Sequence, residues 1–343
     1  MFGVVIPGMT HNQHPLGSGF TAASTTADVL EGIDLTGRTA VVTGGHVGLG
    51  LETTRALSAA GATVVVGSRS PDRAAAALTA IDGVEVEQLD LLDPVSVDAF
   101  ANRFRDSGRP LHMLINNAGI MGGPRTLDPR GYEAQFATNH LGHFQLTLGL
   151  FPALRDANGA RVVNVSSGGH HYSDIRWDDL HFETGPYDGM LGYGQSKTAN
   201  ILFGVELDRR WAGDGIRGYS LHPGVIFGTN LAPWLTDDEL RRMGLVDDAG
   251  EPILDPEREM KTPQQGAATS VWAATSPLLD GVGGVYLKNC DVAPVGAVTA
   301  LDTDITAGPQ DSNLGVAPYA VDPEAAQRLW ALSEELIRAS GGG

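Results

Sequence analysis

The sequence predicts an α/β fold: a doubly wound, parallel, seven-stranded sheet with helices on both faces. Two patterns carry the prediction. Short β-branched apolar runs alternate along most of the chain with stretches of helical periodicity, and a glycine-rich turn joins the first run directly to the first of those helical stretches. Strands that follow one another through helical crossovers lie parallel, and a parallel sheet is covered on both faces.

The runs fall at 39–43, 63–66, 84–89, 113–115, 161–165 and 218–221, with a seventh at 284–287. Val41-Val42, Val64-Val65-Val66 and Val162-Val163 give them the stiff, β-branched character of buried strands. Helical stretches lie near 48–60, 71–81, 94–107, 130–156, 192–212 and 264–275. Asp322-Pro323 then opens an amphipathic helix running to about 339, since proline suits a first helical turn. Residues 1–35 are rich in Gly, Thr, Ser and His and read as an extension lying over the surface of a single domain spanning 36–343. Two segments break the alternation: 229–262, with a short helical piece at 236–243, and the Gly/Ala/Pro-rich stretch 291–321. Loops of such length usually serve as lids or binding segments.

Composition removes several classes of function. With 23 Lys plus Arg against 41 Asp plus Glu, the 343-residue chain carries a formal charge of −18, which repels nucleic-acid phosphates and anionic lipid surfaces. Cys290 is the one cysteine, so no internal disulfide and no cysteine metal cluster can form; a reducing cytoplasm is expected. The first basic residue is Arg38, so the N-terminus lacks the positive region of a secretory signal and the arginines of a transit peptide. The longest uncharged stretch that looks apolar, 134–154, contains Gln135, Asn139, His140, His143 and Gln145, too much polarity for a membrane span.

Thr43-Gly44-Gly45-His46-Val47-Gly48-Leu49-Gly50 follows the first run, and a helix starts at once. Glycines there let the backbone approach a pyrophosphate, whose charge is favoured by the free N–H groups of a helix N-terminus. This is the layout of a Rossmann-type dinucleotide site, although an ordinary glycine-rich turn has the same composition. The second run ends Val66-Gly67-Ser68-Arg69, with no acidic residue to hold the ribose hydroxyls of NAD(H). Ser68 and Arg69 suit a 2′-phosphate instead, favouring NADP(H) over NAD(H).

Tyr193-Gly194-Gln195-Ser196-Lys197 sits in a helical stretch, so Tyr193 and Lys197 share one face at i and i+4. A free phenol holds its proton to pH ~10, and a nearby ammonium favours the phenolate, which suits Tyr193 to proton exchange with a substrate oxygen. A packed tyrosine beside a lysine gives the same spacing, so the pair needs company. The glycine-rich turn, Asn116-Asn117-Ala118-Gly119, Asn139, Val165-Ser166-Ser167, the Tyr193–Lys197 pair and His222-Pro223-Gly224 supply it. In order and spacing they resemble the short-chain dehydrogenase/reductase family over about residues 36–290.

The resemblance implies a role for each position. Tyr193 would be the general acid/base, and Lys197 would lower its pKa and bind the nicotinamide ribose. Ser167 would hydrogen-bond the substrate oxygen, and Asn139 would anchor a water linking Lys197 to solvent. Gly44, His46, Val47, Gly48, Leu49 and Gly50 would form the phosphate turn. Asp90 and Leu91 would lie against adenine, Asn117, Ala118 and Gly119 would line the cofactor, and Pro223, Gly224 and Val225 would pass the nicotinamide. Asn139-His-Leu-Gly-His-Phe144, the segment from Gly192 to Phe203, Lys261-Thr-Pro-Gln-Gln-Gly266 and Arg328-Leu-Trp-Ala-Leu-Ser333 are similar to the subgroup of retinol dehydrogenases, WW-domain oxidoreductases and protochlorophyllide reductase. The chain departs from that subgroup in having Gly228 where Thr or Ser is usual, which leaves Thr229 as the candidate cofactor contact.

His140 and His143 lie i and i+3 on one predicted helix, and His170-His171 follow Ser167; no set of three or four ligands is defined, so no metal site is assigned. Polar packing explains the histidines, with substrate contact open to His170 and His171. Met121, Trp177, Phe182, Tyr187, Phe227 and Trp234 are candidates for an apolar substrate wall, and Asp237–Glu239 with 247–259 for a solvated acidic lid. The combined reading is an NADP(H)-dependent oxidoreductase acting on a carbonyl or alcohol of a hydrophobic small molecule. Reduction of an activated C=C bond and a non-catalytic dinucleotide-binding role are the alternatives. A homo-oligomer built on the 130–156 and 192–212 helices is open, as the resemblance implies.

Overall fold

The computed structural model describes residues 13–226, 231, 234–297 and 314–339. Eight strands make one sheet: β1 (Thr39–Thr43), β2 (Thr63–Ser68), β3 (Val84–Gln88), β4 (Met113–Asn116), β5 (Ala160–Val165), β6 (Ile216–His222), and, further along the chain, β9 (Val285–Lys288) and β10 (Asp291–Val292). Between them β7 (Val225–Ile226) and β8 (Met260–Lys261) pair in parallel as a separate ribbon. The sheet order is β10-β9-β6-β5-β4-β1-β2-β3, parallel throughout except for β10. The chain reverses direction across the sheet between β1 and β4, leaving a crevice at their carboxyl ends, where α/β sheets bind ligands.

The helices are α1 (Thr26–Val29), α2 (Gly48–Ala59), α3 (Pro71–Leu78), α4 (Pro94–Asp106), α5 (Ala134–Phe136), α6 (Gly142–Asp156), α7 (Gly189–Trp211), α8 (Asp237–Arg242), α9 (Pro263–Thr275) and α10 (Pro323–Ala339). Local chemistry sets several of their starts. Asp93 caps α4, Asp188 accepts from the Met190 and Leu191 amides of α7, and Thr262 with Gln265 forms a reciprocal capping box on α9. One apolar core joins Val42, Val64 and Val66 to Leu57 of α2 and Val271 and Trp272 of α9. The opposite face joins Val41, Val65 and Leu114 to Phe100 and Phe104 of α4 and Phe144 of α6.

Three expectations change. The sheet has eight strands rather than seven, because β10 is a two-residue antiparallel edge too short to give a sequence pattern. The helix expected over 130–156 begins at Ala134 under a Glu133 cap, and Ala137–Leu141 between α5 and α6 is a π turn, with the Gly142 amide reaching back to the Ala137 carbonyl. The N-terminal extension is partly built into the body. Gln13 is buried and its side-chain amide holds the backbone of Tyr286 and Ala293, while Val29 and Leu35 enter the core. Beside these, α10 packs on α7 and α6, with Trp330 against Phe144, Phe203 and Trp211.

Candidate active site

The carboxyl ends of β1, β2, β4, β5 and β6 open into one cavity of about 970 Å³. Its floor at one end is the glycine-rich turn. Gly44 has φ +66°, and a Cβ on Gly50 would stand 2.5 Å from the Gly44 carbonyl oxygen and 2.6 Å from Asn117 Nδ2, so neither position tolerates a side chain. Gly44, His46, Val47, Gly48 and Leu49 line the cavity; Gly50 lies beneath it and sets the packing. Ser68 and Arg69 line the adjoining corner, Asp90 and Leu91 the next, and Asn117, Ala118 and Gly119 the wall above β4. Thr43 ties this wall to β1: its Oγ1 accepts from the Asn117 and Ala118 amides at 2.9 and 3.0 Å. Pro223, Gly224 and Val225 border the far side. Thr229 and Phe227 lie outside the described residues.

Ser167, Tyr193 and Lys197 meet midway along the same cavity. Ser167 follows β5, with its hydroxyl accepting from the Gly169 amide at 3.0 Å and its carbonyl accepting from His170 Nδ1 at 2.7 Å. Tyr193 and Lys197 lie one turn apart on α7, the ammonium 5.5 Å from the Tyr193 ring centroid and donating to the Val165 carbonyl at 3.0 Å. Asn139 is fully buried behind them rather than in the cavity wall. Its side chain bonds both backbone groups of Ile120, and Asn139 Nδ2 also donates to Ser196 Oγ at 2.8 Å.

The short chain dehydrogenase family model matches residues 38–239. A probable oxidoreductase of Streptomyces antibioticus is 48% identical over 315 residues, covering 90% of this chain and all of that protein. The human WW domain-containing oxidoreductase is 34% identical over 334 residues, covering 93% of this chain and 72% of its own. The crystal structure of an uncharacterized protein from Mycobacterium paratuberculosis superposes with a TM-score of 0.67 at 35% identity, covering 92% of this chain and 98% of its own. The chain belongs to the short-chain dehydrogenase/reductase family.

In this dehydrogenase/reductase burial governs the charges around the cavity. It pushes the Tyr193 phenol up to about 12, with the Ser167 hydroxyl acting in the opposite direction, and brings the Lys197 ammonium down to about 8. The Lys197 ammonium itself is turned to the Val165 carbonyl. His46 is held below the usual histidine range by burial and then by Arg73 and Arg69. Two arginines and a neutral histidine thus converge on the corner beyond β2, and Arg73, in the first turns of α3, was not legible as part of it.

Under the Pro223–Val225 turn lies a second feature that the sequence did not announce. Glu259, fully buried, sits 3.2 Å from Lys261 Nζ and 3.1 Å from Lys288 Nζ, and Asn289 bonds both Glu259 and Lys261. Burial opposes the Glu259 charge, yet His222, Lys261 and Lys288 together hold the carboxyl below its ordinary range. The Val225 amide donates to the Glu259 carbonyl at 2.7 Å, so this cluster anchors the end of the 229–262 insertion to the cavity floor.

The apolar wall differs from the expected one. Of its candidates Met121 lines the cavity. Trp177 lies under the Arg328 guanidinium, Phe182 under that of Arg176, and Tyr187 bonds Glu133 and Gln135, all in packing roles. Trp234 is 40% exposed and donates to the Met121 carbonyl at the rim. The wall is built instead by Ile120, Met190 and Tyr172 together with Leu235, Leu240, Met243, Leu245 and Ile253 of the acidic insertion. That segment is charged toward solvent and apolar toward the cavity, an amphipathic pattern masked by its acidic composition. His171 also lines the cavity, whereas His170 is buried and accepts from the Ala317 amide, clamping the chain near its C-terminal helix. Among the described residues no group of three or more His, Cys, Asp or Glu side chains could hold a metal ion, and no helix is long and apolar enough to cross a membrane.

Proposed function

We propose that this protein is an NADP(H)-dependent oxidoreductase acting on the carbonyl or alcohol carbon of a hydrophobic small molecule. One observation carries the reading: the glycine-rich turn, Ser167, Tyr193 and Lys197 all border a single cavity whose outer part is apolar. The fit to a dinucleotide rests on the cradle that a Cβ at Gly50 would fill and on the cationic corner of Arg69 and Arg73 beside His46. Gly44 to Leu49 would hold the pyrophosphate, Ser68, Arg69 and Arg73 the 2′-phosphate, and Asp90 with Leu91 the adenine. Asn117 to Gly119, Lys197 and Pro223 to Val225 would hold the nicotinamide riboside, and Thr229 is retained as a further contact. When bound, such a group supplies the hydride and, in its oxidised form, a positive charge near the phenol.

The chain supplies the proton chemistry. Ser167 Oγ hydrogen-bonds the substrate oxygen and orients it, and Tyr193 gives its proton to that oxygen. A phenol pushed up to about 12 holds its proton at neutral pH and is available as the donor, and the reverse reaction uses the same groups. Lys197, already near its titration point at about 8, takes part in proton exchange with Tyr193. The leucine and methionine side chains of the insertion exclude water and select apolar substrates. A cytoplasmic site of action is supported by Cys290, buried and unpaired. Single-domain organisation over 36–343 is supported by the continuous sheet.

The test is NADPH oxidation followed by absorbance over aldehydes, ketones, quinones and activated alkenes, with NADH in parallel and Tyr193→Phe as control. Turnover of carbonyls, with NADPH preferred and loss of at least ~100-fold in the variant, is expected. Turnover of alkenes alone would replace the substrate class, and undiminished turnover by Tyr193→Phe would overturn the mechanism.

A further inference from the structure

The chemistry proposed above leaves one buried polar group at its edge unused. His143, one turn beyond Asn139 and 1% exposed, places Nδ1 2.9 Å from the Asn139 carbonyl oxygen and Nε2 2.9 Å from Thr43 Oγ1. A carbonyl oxygen only accepts, so Nδ1 carries a hydrogen. Thr43 Oγ1 already accepts from two amides, so its own hydrogen is directed at Nε2, with the Ile115 carbonyl a longer alternative at 3.4 Å. The ring is then a neutral imidazole of fixed tautomer, consistent with burial, and then the Lys197 charge, bringing its pKa down to about 4 against the pull of its bond to Asn139.

We propose that His143 is a positioning residue, a rigid strut that sets the distance between the π turn carrying Asn139 and the Thr43–Ala118 corner of the cofactor bed. Both ends of the strut matter to the site. From the π turn, the Asn139 side chain fixes Ile120 and Ser196; from β1, Thr43 fixes the amides of Asn117 and Ala118. The two ends converge where a Cβ on Gly119 would meet Asn139 Oδ1 at 3.2 Å and Lys197 Nζ at 3.5 Å. Movement of either end by a few tenths of an ångström therefore shifts Lys197 relative to the turn that lines the cofactor. An aliphatic side chain would fill the space but remove both hydrogen bonds of the bridge, leaving the Thr43 hydrogen only the longer Ile115 carbonyl.

The strut rests on the reading of this cavity as a dinucleotide-dependent site, and its test separates the two. His143→Leu, Thr43→Val and the double variant are compared with wild type for kcat, KM, the NADPH dissociation constant from fluorescence titration, and Tm. Both single variants are expected to lower kcat by about tenfold or more, and the double variant to lose no more than the worse single one, because both cut one bridge. Thr43→Ser, which keeps the hydroxyl, recovers at least half of what Thr43→Val loses. Losses that multiply in the double variant, or that follow Tm alone across the set, overturn the proposal. If wild type turns over no carbonyl, the functional reading fails while the strut is still decided: the cycle is read from NADPH dissociation constants, and imidazole ¹⁵N shifts report the tautomer. A protonated, pyrrole-type Nδ1 in His143 at neutral pH supports it; a pyridine-type Nδ1 overturns it.

Discussion

Asn139 clasps Ile120 by both of its backbone groups: the Ile120 amide donates to Asn139 Oδ1 at 2.9 Å, and Asn139 Nδ2 donates to the Ile120 carbonyl at 3.0 Å. The family resemblance implies a water-anchoring role for this asparagine, and its side chain also pins the loop that separates cofactor bed from substrate wall. Asn139→Ala removes both bonds to Ile120 and the one to Ser196, whose hydroxyl keeps the Tyr193 carbonyl, and is expected to cost about 2–4 kcal/mol of stability. Asn139→Asp keeps the bond to the Ile120 amide but presents a carboxylate to the Ile120 carbonyl, and should be at least as damaging to kcat. Urea unfolding and steady-state kinetics check both; wild-type kcat in either variant would contradict this assignment.

Arg69 and Arg73 flank the corner beyond β2 and both depress His46. If that corner receives a 2′-phosphate, Arg69→Ala and Arg73→Ala should each weaken NADPH binding by about tenfold, the worth of one charge-assisted contact, and leave NADH within about twofold. Fluorescence titration with the two cofactors decides it, and equal weakening of both would remove the 2′-phosphate from the argument.

Stability should fall with acid before the carboxylates matter. Burial lowers His140 to about 3, His143 to about 4 and His222 to about 3, and lowers His170 strongly as well. Below the unfolded value of about 6.5 the unfolded chain binds protons that the folded one refuses, so stability present above pH ~6.5 is lost as pH falls toward the folded values. Each such histidine contributes on the order of 1 kcal/mol per pH unit across that window. Glu133, Asp174 and Asp208, raised mainly by burial, act in the opposite sense as they titrate. Denaturant midpoints measured from pH 7.5 to 4.5 should decline steadily, and a flat profile between pH 6.5 and 5 would show that these rings are not buried neutral.

Trp330 is 3% exposed, stacks edge-on against Phe144 at 4.9 Å and lies under the Arg210 guanidinium at 4.6 Å. Trp330→Ala should cost about 3–5 kcal/mol, the usual loss for a large buried aromatic. It should also loosen α10 from the α6–α7 seam and promote self-association through the uncovered Phe203 and Trp211. Light scattering and thermal melts test this; a variant with unchanged Tm would place the helix outside the core.

The strand–helix alternation, the glycine-rich turn and the Tyr193–Lys197 spacing were legible because each is a local pattern: β-branched runs, a turn that excludes side chains, and two residues one helical turn apart. Most of the site residues read from those patterns and the family resemblance border the cavity. What stayed hidden depends on contacts between distant segments. Arg73 joins Arg69 only once α3 packs behind β2, and Glu259 finds Lys261, Lys288 and His222 only when the insertion returns under β6. The apolar side of 235–253 was hidden by its charges until the fold showed which face met the cavity. By itself the sequence determined the order of the elements and the chemical groups available, since backbone propensity and residue spacing act locally. Only the tertiary structure decided how those groups are charged and paired, because burial and long-range contacts set the Tyr193 phenol, the Asn139 clasp and the His143 bridge.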